Sequence, residues 1–143
     1  MYDRILLPTD GGAPAEQALE NALDLAEQYD AELHLLNVVD TTVFAGEVET
    51  GPVVEQFEQT GTTTVETLVE AVRERGHDRV VGDVVHGRPH TGILSYVEKN
   101  DIDLIVMGTR GRTGLDRYLL GSVTEKVVRL SDVPVLTVRH KSE

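Results

Sequence analysis

The chain has 143 residues, 25 of them Asp or Glu against 13 Lys or Arg, for a formal net charge of −12. That length suits one domain with its own core, and the absence of Cys excludes disulfides, thiolate metal sites and thiol nucleophiles. The acidity and the lack of Trp argue against a nucleic-acid surface.

Apolar runs of strand length alternate with stretches of helical period. Ile5-Leu6-Leu7, bounded by Pro8, predicts the first strand; Ala18, Ala22, Leu25, Ala26 and Tyr29 then recur at helical spacing. Leu33 to Val39 predicts a second strand. From Val53 to Val72 one helical face is set by Val65, Leu68, Val69 and Val72, with Thr60 to Thr64 before it expected as a loop or a helix start. Asp78 to Val85 is the third predicted strand. Pro89, suited to a first helical turn, opens a helix running to Lys99. Asp103 to Met107 predicts a fourth strand, Ser122 to Leu130 a fourth helix and Val133 to Val138 a fifth strand. Strands separated by helices imply a parallel sheet covered on both faces. The fold expected is therefore an α/β three-layer sandwich, a doubly wound five-stranded parallel sheet with four helices in a single domain, 1–143. Ligands of such sheets sit beyond the carboxyl ends of the strands, here the loops after Leu7, Val39, Val85 and Met107.

The segment after the fourth strand carries the most specific pattern. Gly108-Thr109-Arg110-Gly111-Arg112 is followed by Gly121-Ser122, giving Gly, two residues, Gly, nine residues, Gly-Ser between a strand and a helix. Glycines allow backbone amides to approach an anion, and a helix N-terminus adds unpaired N–H donors. The charge is segregated to match: residues 1–107 sum to −15, residues 108–143 to +3, and the basic part contains Arg110, Arg112 and Arg117. No Gly-Lys dipeptide exists for a Walker A loop, no Gly-x-Gly-x-x-Gly follows the first strand, and no Gly-x-Ser-x-Gly is present. His86 and His90 are four apart, but Gly87 and Pro89 between them at a strand-to-helix turn argue against a metal pair. His34, His77 and His140 read as surface or strand-end residues, and the acidic pairs Asp101/Asp103 and Glu47/Glu49 as solvated charges.

With its opening Ile5-Leu6-Leu7-Pro8-Thr9-Asp10-Gly11, central Gly87-Arg88-Pro89, Asp103 to Gly108, the glycine pattern and the closing Pro134 to Val138, the chain resembles the ATP-binding branch of the universal stress proteins along its whole length. The resemblance implies a flavodoxin-like strand order of 3-2-1-4-5. It also implies ATP as ligand, with Mg carried by the phosphates, and homodimers paired along the fifth strand. By the same resemblance Asp10 contacts the nucleoside, the Val38 backbone meets adenine, and Met107, Gly108, Arg110, Gly111, Arg112, Gly121 and Ser122 complete the nucleotide site. The family often has Ser or Thr after the first-loop Asp-Gly, where this chain has Gly12 followed by Ala13 and Pro14, so Asp10 itself is a candidate cap for the first helix.

No hydrophobic leader or 18-residue apolar run is visible, so a cytoplasmic protein with no membrane partner is expected. Three Lys against ten Arg and 25 acidic residues read as a salt-adapted, halophilic composition, the alternative being an ordinary acidic protein. The function expected is that of a stress-response protein whose adenine-nucleotide occupancy modulates conformation or partner binding; the alternatives are a nucleotide-independent dimeric scaffold and a slow ATPase.

Overall fold

The computed structural model describes residues 1–10, 13–41, 51–109 and 121–139. In chain order the elements are β1 (Arg4–Pro8), α1 (Ala13–Tyr29), β2 (Glu32–Asp40), α2 (Gly51–Glu74), β3 (Val80–Gly87), α3 (Pro89–Lys99), β4 (Leu104–Gly108), α4 (Ser122–Leu130) and β5 (Val135–Val138). The strands form one parallel sheet in the order β3-β2-β1-β4-β5, as expected for a doubly wound α/β fold.

The central strands are nearly continuous apolar runs because side chains leave both faces of a covered sheet. Ile5 and Leu7 of β1, Leu33 and Leu35 of β2, and Leu104 and Val106 of β4 bury themselves against α1 and α2. Leu6, Leu36, Ile105 and Met107 point the other way, into a layer closed by Ile93 and Tyr96 of α3 and Val127 of α4. Along α1, buried Ala18, Ala22 and Ala26 recur every four residues and form one small-residue stripe that lets the helix lie close to the sheet.

Strand and helix ends follow local chemistry. Pro134 has no amide to give a ladder, so β5 begins one residue later at Val135, although the Pro134 carbonyl still accepts the Ile105 amide at 3.0 Å. α2 closes on Gly76, whose φ of 95° is left-handed, with the Gly76 amide on the Arg73 carbonyl at 2.9 Å.

Three expectations are corrected. Thr60 to Thr64 are neither loop nor helix start: they lie inside the 24-residue α2, where Gly61 abuts Asn37 of β2. His34 and His77 are buried, not at the surface. His34 Nδ1 meets the Tyr96 hydroxyl at 2.7 Å and its Nε2 meets Glu32 Oε1 at 2.6 Å, while His77 Nε2 donates to the Ala31 carbonyl at 2.8 Å. An imidazole ring that finds polar partners, as both nitrogens of His34 do, can sit in a core that would reject an unpaired one. Asp103 is more than a solvated charge: its carboxylate accepts the Asp3 and Arg4 amides at 2.8 and 3.2 Å, tying the entry of β1 to that of β4.

Candidate functional site

All five strands run the same way, so the segments after Pro8, Asp40, Gly87, Gly108 and Val138 open on one edge of the sheet. Within that edge the chain leaves β1 and β4, which are neighbours, in opposite senses. β1 is followed by α1 on one face and by β2 on one side; β4 is followed by α4 on the other face and by β5 on the other side. This is the point where strand order reverses and where a crevice forms in open α/β sheets.

One half of the crevice is built by β4 and α4. The Gly121 amide donates to the Thr109 carbonyl at 2.6 Å, so the chain that leaves β4 at Gly108 returns beside it to start α4. Thr124, buried in the first turn of α4, donates its hydroxyl to the Gly108 carbonyl at 2.9 Å, and the Thr109 amide donates to Val138 of β5 at 3.0 Å. Together these bonds hold Gly108, Gly121 and Ser122 at one place, although twelve residues lie between the first and the second. The N-cap of α4 is Gly121, which has no side chain of its own to cap the first-turn amides, and no other side-chain oxygen among the described residues is found on them. Those amides carry the positive end of the helix dipole and suit an anion. Ser122, exposed at the first helical position, adds a hydroxyl.

The second half lies between β1 and β2. Asp10 is exposed just past β1. On β2, the Glu32 amide donates to the Asp3 carbonyl at 2.9 Å and the Leu36 carbonyl accepts the Thr9 amide at 2.8 Å. Backbone groups of a parallel strand face one neighbour and then the other in turn, so those of Val38 face the β1 side, at the level where β1 has ended. The Val38 side chain goes the opposite way from α2, against Gly92 of α3, where an added Cβ would come within 3.1 and 3.3 Å of its two methyls. Only the Val38 main chain is thus presented to the crevice. Met107 resembles it in this: its side chain is buried among Leu6, Leu36 and Val127.

Of the sequence-predicted residues, Asp10, Val38, Met107, Gly108, Gly121 and Ser122 lie along this edge; Arg110, Gly111 and Arg112 lie outside the described residues. His86, at the end of β3, is engaged by Glu58 of α2 at 3.5 Å. Sequence reasoning missed Asn37 and Thr124, which touch the loops of the crevice through single hydrogen bonds. A polar residue inside an apolar strand, and a hydroxyl three residues after a glycine N-cap, were the signals available.

The sequence pattern described as the universal stress protein family matches residues 1–139. The chain belongs to this family. A universal stress protein of Methanocaldococcus jannaschii is 35% identical over 142 residues, spanning 97% of this chain and 83% of its own. Among solved structures, the universal stress protein UspA from Lactobacillus plantarum aligns with a TM-score of 0.84 at 26% identity, covering 96% of this chain and 98% of that one. A second Methanocaldococcus jannaschii protein aligns at 0.81 and 32% identity over 100% of this universal stress protein and 99% of its own chain. Two further structures share the fold at lower identity: a universal stress protein in complex with cAMP (TM-score 0.71, 22%) and one from Archaeoglobus fulgidus in complex with dAMP (TM-score 0.69, 19%).

Proposed function

We propose that this universal stress protein binds ATP at the β1/β4 switch point and that occupancy changes a conformation or partner surface. The observation that carries the reading is the convergence of Gly108, Gly121 and Ser122 on a helix N-terminus whose N-cap is a glycine. N–H and hydroxyl donors suit phosphate oxygens. In this reading Gly108, Gly111, Gly121 and Ser122 cradle the phosphates, Arg110 and Arg112 from the same basic segment neutralise them, and Asp10 holds the ribose. The main chain of Val38 takes the edge of adenine, and the Met107 backbone lines the crevice. Mg would arrive bound to the phosphates rather than through a protein cage. The cAMP and dAMP complexes of the two fold neighbours support an adenine nucleotide as the ligand class.

The assembly in this reading is a homodimer through β5. Leu136 of β5 and Val128 and Leu130 of α4 are large apolar side chains at least a third exposed, and β5 is an edge strand whose outer backbone groups can pair with another chain. Mass spectrometry of the purified, denatured protein tests the ligand: release of a stoichiometric adenine nucleotide is expected. Protein that is purified without nucleotide and shows no thermal shift with millimolar Mg-ATP contradicts the proposal.

A further inference from the structure

The parallel ladder between β1 and β2 ends in an unusual way. Its rungs alternate: the Glu32 amide on the Asp3 carbonyl, and further on the Thr9 amide on the Leu36 carbonyl. Continued by one rung, the pattern would put the Val38 amide on the Thr9 carbonyl. That carbonyl instead accepts Nδ2 of Asn37 at 2.9 Å. Asn37 is the residue before Val38 and its side chain lies on the opposite sheet face from α3, toward α2. There Gly61 makes room for it: a Cβ at Gly61 would come within 2.5 Å of Asn37 Oδ1 and 3.1 Å of its Cγ. Gly61 sits in the interior of α2, where glycine is the least favourable residue after proline. Its presence there therefore points to the contact and not to the helix.

We infer that Asn37 is a positioning residue: seated against Gly61, its amide occupies the Thr9 carbonyl and so keeps the Val38 N–H and C=O turned to the crevice for a purine edge. The inference rests on the reading above that the Val38 backbone meets the base. It assigns the base-binding geometry to a side chain that never touches the ligand. Replacement of Asn37 removes its bond to the Thr9 carbonyl, and the Val38 amide then takes that place, closing the ladder over the base position.

The test uses the full chain and two variants that remove the clamp by different routes, Asn37→Ala and Gly61→Ala. Without nucleotide, hydrogen exchange of the Val38 amide followed by NMR should slow by about tenfold or more in both variants, since one hydrogen bond of ordinary strength is a factor of that size. ATP affinity should fall by about tenfold while affinity for inorganic tripolyphosphate, which has no base, stays within twofold. A Val38 amide that exchanges at the same rate in wild type and both variants overturns the clamp. So does an equal loss of ATP and tripolyphosphate binding. If wild type binds no ATP, the nucleotide reading fails, yet the exchange measurement still decides the role of Asn37.

Discussion

Removing one hydroxyl from the second core layer should both weaken the protein and change how its stability depends on pH. Tyr96 is 6% exposed and its hydroxyl meets His34 Nδ1 at 2.7 Å; His34 Nε2 meets the Glu32 carboxylate at 2.6 Å. A carboxylate only accepts, so Nε2 carries a proton, and in the neutral ring Nδ1 is then the acceptor and Tyr96 the donor. Tyr96→Phe leaves that buried nitrogen without its partner, a cost of about 1–3 kcal/mol at pH 7. Burial, with Asp83 and Glu32 adding repulsion, pushes the Tyr96 phenol up to about 12. The folded state then holds this proton more tightly than the unfolded chain, whose tyrosines titrate near 10. Its contribution is whole below pH 10 and is lost as the pH rises toward 12, by about 3 kcal/mol in all. Phe has no proton to lose. Urea unfolding of both proteins, followed by circular dichroism from pH 7 to 11.5, should show a gap at pH 7 that narrows steadily above pH 10. A gap that is absent at pH 7, or constant up to pH 11.5, refutes the network as drawn.

Three other outcomes are expected. Gly121→Val, at a buried position whose φ of −59° and ψ of 152° are open to any L residue, should lower ATP affinity by at least about tenfold in titration calorimetry, with circular dichroism confirming that the variant is folded. Thr124→Val, which keeps the shape but loses the bond to the Gly108 carbonyl, should cost about 1–2 kcal/mol in urea unfolding and weaken ATP binding; Thr124→Ser, which keeps the hydroxyl, should retain affinity. For the proposed β5 dimer, light scattering should find wild type dimeric and Leu136→Asp monomeric, and a variant that stays dimeric contradicts pairing through β5.

Which parts of the fold were legible follows from where the information sits. Strand and helix order was readable because burial on both faces forces runs such as Leu104 to Met107, and because α3 and α4 carry their own periods. The Thr60 to Thr64 stretch misled because local propensity favours turns there, while tertiary contact overrides it: α2 needs Gly61 where Asn37 approaches. His34 was unreadable for a related reason. A polar residue inside Leu33 to Val39 is compatible with an exposed edge or a satisfied core, and only Tyr96, sixty-two residues away, decides. The glycine spacing exposed half of the candidate site, since local chain geometry fixes what Gly108 and Gly121 can do. The other half depends on the offset between β1 and β2, a property of the register between Pro8 and Leu36 that no single segment encodes.

The central claim is that an acidic chain keeps a basic, glycine-lined crevice for ATP at its strand reversal. Calorimetric titration of the nucleotide-free protein with Mg-ATP, at a salt concentration where it is folded, tests it most directly. A saturable heat with one nucleotide per chain, lost in Gly121→Val, is the result predicted. No heat up to millimolar Mg-ATP, or the same heat in Gly121→Val, would contradict it.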